Sequence, residues 1–202
     1  MKHPEEIIEL QRTGRATDFV ETRQYATIDE AHQNFKKAAQ RLLLVNRWNE
    51  YAGVNSAIFS LTNNQGAAAD GYAQEGALFN INLPVPGSDA GDGLEWVMIE
   101  RMAAFEGAQA IKEYVAMLVR PISDPRKPDS RIAHFYKDVS TSAFIVKRTG
   151  TTVSAAVHGR NESPNNGNVD LYDKARNTVV ALSARIGLAG PQWKKLISGF
   201  LD

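Results

Sequence analysis

Four histidines, His3, His32, His134 and His158, are the only side chains of this 202-residue chain whose ordinary pKa lets them trade a proton near neutrality. A metal site would need several of them together. His3 sits at the terminus, His32 in the first amphipathic segment, and His134 and His158 in the last two extended segments, so no metal is expected. The loop Asp89-Ala90-Gly91-Asp92-Gly93, followed by Glu100, resembles a calcium loop only in its acidity, because glycine stands where oxygen ligands are required. No Gly-x-Ser-x-Gly, His-Glu-x-x-His, P-loop or Gly-x-Gly-x-x-Gly occurs, and no cofactor is expected.

The densest polar stretch is His158-Gly159-Arg160-Asn161-Glu162-Ser163-Pro164-Asn165. In an extended segment a spacing of two puts His158 and Arg160 on one face, where with Arg120 and Tyr136 they would fix the polar head of a ligand. The same groups would serve acid–base chemistry: His158 or His134 as general base, and Tyr136 or Arg160 against a developing oxyanion. The plain alternative is a loop whose charges pair with strand neighbours. Trp48 and Trp96 are candidate aromatic walls, although Trp48, like Trp193, suits a packed core as well.

The elements that must position these groups follow from periodicity. Pro4 to Thr13 reads as a short N-terminal helix, with Pro4 at its start and Gly14 as its stop. Asp18 to Thr27 reads as a strand. Ala31, Phe35, Ala38, Leu42 and Val45 then mark one face of a helix with Asp29 as N-cap, and a shorter helical turn ends at Gly53. From there to residue 160 the period is two. Strands are expected at Ser56–Thr62, Ala77–Leu83, Glu95–Phe105, Glu113–Pro121, Ala133–Arg148 and Thr151–Arg160. A two-residue Thr149-Gly150 turn would pair positions summing to 299, setting His158 against Thr141 and Val146 against Val153. Leu171, Ala175, Val179, Leu182 and Ile186 form the stripe of a long helix, and Pro191 opens a final short one carrying Trp193, Ile197 and Phe200.

Composition narrows the function classes. With 43% hydrophobic and 23% charged residues the chain supports one well-buried domain. Its 23 basic and 23 acidic residues cancel, leaving no field to hold nucleic acid or an anionic membrane. The absence of cysteine excludes disulfides and thiolate chemistry. The longest apolar run, Tyr114 to Val119, is far too short to span a bilayer, so a cytoplasmic protein without membrane insertion is expected.

Strand, helix, six strands in hairpin succession and a long C-terminal helix is an α+β order. With Arg47-Trp48-Asn49-Glu50-Tyr51 after the first helix, Gly66 and Gly76 around the second and third strands, and the Leu171–Ile186 helix, it resembles the helix-grip fold of the START-like superfamily of polyketide-cyclase and lipid-transfer type. The resemblance covers residues 16–187, with 1–15 an N-terminal helical extension and 188–202 a short C-terminal helix. It implies a curved antiparallel sheet of about seven strands around the long C-terminal helix, with a cavity between them. A hydrophobic small molecule is then the expected partner, with Arg120, His158, Arg160, Trp48 and Trp96 as contacts. Binding is preferred to a cyclase, hydrolase or isomerase activity in the same cavity, or to a partner-binding domain without ligand. Trp96, Met98 and Met102 on one side of a strand and Val97 and Ile99 on the other make both faces apolar. The second face would meet the N-terminal helix or another copy, so a homodimer is a further expectation.

Overall fold

The computed structural model describes residues 3–54, 56–84, 91–107, 110–127, 131–134, 136–164 and 190–202. Strand β1 (Arg15–Gln24) leads into helix α1 (Ile28–Leu43), a single 3-10 turn at Val45–Arg47 and helix α2 (Trp48–Ala52). Six strands follow: β2 (Ile58–Thr62), β3 (Leu78–Asn82), β4 (Leu94–Phe105), β5 (Lys112–Pro121), β6 (Thr141–Thr149) and β7 (Thr152–Glu162). Residues 190–201 form the helix α3. The expected helix at Leu171–Ile186 lies outside the described residues.

The seven strands form one antiparallel sheet in the order β1-β7-β6-β5-β4-β3-β2. Each strand from β2 to β7 lies beside its sequence neighbour, and β1 closes the row against β7. With helices against one face, this is the helix-grip α+β fold.

Alternation along the strands separates two faces. On the inner face Phe59, Phe79, Val97, Met117, Phe144 and Val157 join the buried faces of α1, α2 and α3 in the main core. Helix α1 presents Ala31, Phe35, Ala38, Ala39 and Leu42, at the spacing a helix needs to bury one stripe. Its cap is Thr27, whose hydroxyl accepts from Glu30 N, while the Glu30 carboxylate reaches back to the Ala26 N–H. This Thr-x-x-Glu arrangement starts the helix before Asp29, the expected cap.

Helix α3 buries Leu196, Ile197 and Phe200 completely or nearly so, so the core extends well beyond residue 187. Arg41 donates to the Gly199 and Phe200 carbonyls at its end. Gly199 is required by the approach of α2, since a Cβ there would lie 2.1 Å from the Tyr51 carbonyl oxygen.

On the outer face a smaller cluster forms from Tyr114, Ala116, Leu118, Ala143 and Ile145, covered by Ile7. The expected helix Pro4–Thr13 is one 3-10 turn, Pro4–Ile7, followed by chain without regular secondary structure. A ten-residue helix has little stability of its own. Here Ile7 sinks into the outer cluster and the backbone beyond Leu10 bonds instead to Asn161. This strap covers the second apolar face of the sheet around β5 and β6.

Two further expectations change. The β6–β7 ladder pairs positions summing to 301, with His158 opposite Ala143 and Val146 opposite Ala155, because the two-residue loop is Gly150-Thr151. Gly150 has φ 58°, the positive value that the first loop position of a II′ turn demands. The shift is by two, so every side chain keeps its face. The strand expected from Ala133 is also shorter: Ala133 bonds back to Ile122 and Trp96, and a turn closed by Ser140 N to Lys137 O precedes β6.

Candidate functional site

Between the sheet and α3 lies a pocket of about 30 Å³. Its walls are apolar: Phe79, Ile81, Val97, Val119 and Phe144 from the strands and Trp193 from α3. Its polar groups, His134, Tyr136, Ser140, Thr141 and Ser142, come from the stretch where the chain returns from the excursion after β5 and enters β6. The Tyr136 backbone N–H donates to His134 Nδ1 at 3.0 Å, which places the ring proton of neutral His134 on Nε2. The His134 and Tyr136 rings stack at an interplanar angle of 27° with centroids 6.0 Å apart.

Near Tyr136 stands Glu162, a buried carboxyl that accepts from Thr17 Oγ1 at 2.9 Å. Burial pushes the Glu162 carboxyl above its ordinary range, outweighing the opposing pull of Thr17, Arg15 and Tyr136. Burial, reinforced by the nearby Glu162 charge, pushes the Tyr136 phenol up as well. Glu162 reaches this position through a bulge at Asn161, a non-glycine residue at φ 55°, where the β1–β7 register slips between Arg15 and Thr17. Gly159 makes the room, because a Cβ there would stand 2.1 Å from Glu162 Oε1 and 2.4 Å from Thr17 Oγ1.

This electrostatic arrangement predicts the behaviour of Glu162→Gln. A carboxyl whose folded pKa is raised stabilises the fold below the unfolded value and loses that contribution as pH rises through the folded one. Glutamine keeps an acceptor for Thr17 and carries no charge. The variant should therefore melt at or above the wild type at pH 8, with the advantage vanishing below pH 4.5, the ordinary carboxyl value. Melting curves across that range check it; a uniform loss of stability at every pH would contradict the account.

Of the residues expected from sequence, His134 and Tyr136 line the pocket together. Arg120, His158 and Arg160 do not. Val119 and Val157 face inward, so their neighbours Arg120 and His158, and Arg160 two further on, lie on the outer face. There Arg120 pairs with Glu100 at 2.5 Å and donates to the Asp138 carbonyl. His158 and Arg160 both bond Asp18, at 2.5 and 2.8 Å. Although burial opposes it, these bonds hold the Asp18 carboxyl below its usual range.

Trp48 is wholly buried among Phe59, Phe79, Phe144 and Phe200, its Nε1 donating to the Leu42 carbonyl. Trp96 faces away from Val97 and packs under Arg126, whose guanidinium lies 5.1 Å from the ring centroid. Sequence reading left Glu162 out of the site. Its signal was Gly159 inside a strand followed by Asn161, the pair of residue types that mark a bulge.

Among the described residues, no helix is long and apolar enough to cross a membrane, and no cluster of three or more metal-ligating side chains occurs. No family model matches the chain, and no curated protein matches it. Solved structures do resemble it. Major latex-like protein 151 from Panax ginseng is 12% identical over 86% of this chain and 96% of its own, with a TM-score of 0.37. A protein from Arthrobacter aurescens is 10% identical over 99% and 89%, with a TM-score of 0.39. A norcoclaurine synthase point mutant from Thalictrum, in complex with a transition-state analogue, is 9% identical over 86% and 97%, with a TM-score of 0.32.

Proposed function

We propose that this protein binds a small, mainly apolar molecule between its sheet and α3, with the molecule's polar end at His134 and Tyr136. The observation that carries the reading is the composition of the pocket: mainly apolar walls with a few hydrogen-bonding side chains among them, the design of small-molecule sites in general. At about 30 Å³ the space holds a water or two, so a larger guest enters by displacing Trp193 and the helix that carries it.

N-phenyl-1-naphthylamine, a neutral apolar probe that brightens when desolvated, tests this. Saturable binding by the wild type is expected, and Trp193→Ala, which enlarges the pocket, should bind about tenfold more tightly. Arg120→Ala, on the outer face, should leave affinity unchanged. Absence of saturable binding by both wild type and Trp193→Ala would overturn the reading. Native mass spectrometry of the purified protein, followed by denaturing extraction, would name any resident molecule.

The enzyme alternative is supported by one observation. Glu162 is a buried carboxyl whose pKa is raised by burial, close to a tyrosine that lines the pocket, and burial is how general acids are tuned. In that reading Tyr136 and His134 would touch the substrate and Glu162 would hold the proton behind them.

A further inference from the structure

We infer that Asn161 is a positioning residue that couples the N-terminal strap on the outer face to the polar side chains of the inner pocket. The inference rests on the binding reading above for its ligand arm and on the hydrogen bonds of one residue for the rest.

Every polar group of Asn161 is committed. Its side-chain oxygen accepts from the Arg12 and Thr13 amides at 2.7 and 3.1 Å, and its side-chain nitrogen donates to the Leu10 carbonyl at 3.1 Å. Its backbone N–H donates to Gln11 Oε1 at 2.9 Å. All four bonds go to the strap. Its carbonyl accepts from Ser140 Oγ at 2.9 Å, and that same hydroxyl accepts from the Ser163 amide. Ser140 lines the pocket. The next residue, Glu162, lies near Tyr136, which lines it too.

The backbone of Asn161 is held at φ 55°, a conformation that a non-glycine residue keeps only when its surroundings impose it. Here the strap imposes it, because the amide group and the N–H that would otherwise favour a regular strand are both satisfied by Leu10 to Thr13. The bulge in turn is what swings Glu162 beside Gly159 and Thr17. Gly14 closes the strap against the Glu162 carbonyl so tightly that a Cβ would fall 2.5 Å from it.

Strap docking and the Tyr136–Glu162 arrangement therefore share one backbone state. Whatever shifts one must bias the other by an equal factor.

Asn161→Gly in the full chain separates the possibilities, because glycine takes the same backbone angle freely while losing the amide clamp. Hydrogen exchange should accelerate at Arg12 and Thr13. On the pocket side, the amides of Ser163 and Lys137, bonded to Ser140 Oγ and the Ser163 carbonyl, should lose protection as well. N-phenyl-1-naphthylamine affinity should change by about threefold or more. In the wild type, saturating probe should alter exchange at Arg12 and Thr13 by the same factor, and that effect should vanish in the variant. Asn161→Asp, which keeps the acceptor for both strap amides, should restore their protection.

If Arg12 and Thr13 are released while Ser163, Lys137 and probe affinity stay as in the wild type, the coupling is refuted and Asn161 is only an anchor. If neither protein binds the probe, the ligand reading falls. The exchange of Ser163 and Lys137 then decides the coupling alone.

Discussion

Arg148→Met should lower stability by about 3–5 kcal/mol, the cost of leaving one member of a buried ion pair without the other. For a chain of this size that is roughly a 10 °C fall in melting temperature. Arg148 and Glu113 are both buried, and their side chains meet at 2.5 Å. Arg148 also donates to the Gly150 carbonyl at 2.9 Å and the Ala110 carbonyl at 2.7 Å, fastening the β6–β7 turn to the start of β5. Glu113 further accepts from the Gly107 amide and bonds His32 Nδ1 on α1.

Burial opposes the Glu113 charge, yet the bonds from His32, Gly107 and Arg148 prevail and hold its carboxyl below the ordinary value of 4.5. A depressed carboxyl contributes stability that is complete above the unfolded pKa and is lost as pH falls through the folded one. The wild type should thus lose this contribution below about pH 4.5. Glu113→Gln/Arg148→Met, which removes both charges, should recover much of the stability lost by Arg148→Met and should show a flatter acid limb. Urea unfolding at pH 7 and pH 4 measures both effects. A single variant within about 1 kcal/mol of the wild type would show that the pair is dispensable.

Trp48→Ala should cost about 3–5 kcal/mol by removing the largest side chain of the core. Four phenylalanine rings lie within 4.9–5.8 Å of the Trp48 ring, in tilted or edge-on contact. They come from β2, β3, β6 and α3, so one residue of α2 ties the helices to most of the sheet's width. The indole N–H also ends on the Leu42 carbonyl at the close of α1. Trp48→Phe should lose less, because much of the volume remains. Thermal melts with probe titrations distinguish this from a ligand-wall role: a stable Trp48→Ala protein with altered probe affinity would return Trp48 to the binding surface.

Much of the architecture was legible because it depends on local periodicity. The stripe from Ala31 to Leu42 and the alternation in β2, β3 and β7 come from 3.6- and two-residue repeats that any packed helix or half-buried strand must carry. The β6–β7 turn was misplaced, but the shift by two left every face unchanged. The N-terminal helix was not legible. Its residues have helical signals at Pro4 and the two glutamates that follow, and only the outer cluster and Asn161 draw the chain beyond Ile7 into an irregular strap.

The site was half legible. In β7 the inward row Val153, Ala155 and Val157 already implies that His158 faces outward, with Arg160 two residues on sharing its side, whereas the unbroken apolar run of β5 gives no such sign for Arg120. The sequence by itself determined most of the strands, the first helix and the antiparallel order. Tertiary structure alone decided which face meets the helices, because both faces of β4 and β5 are apolar. It also decided where Glu162 points. A bulge one residue long reverses the alternation that follows it, and this one is held by bonds from Asn161 to residues about 150 positions away in the chain.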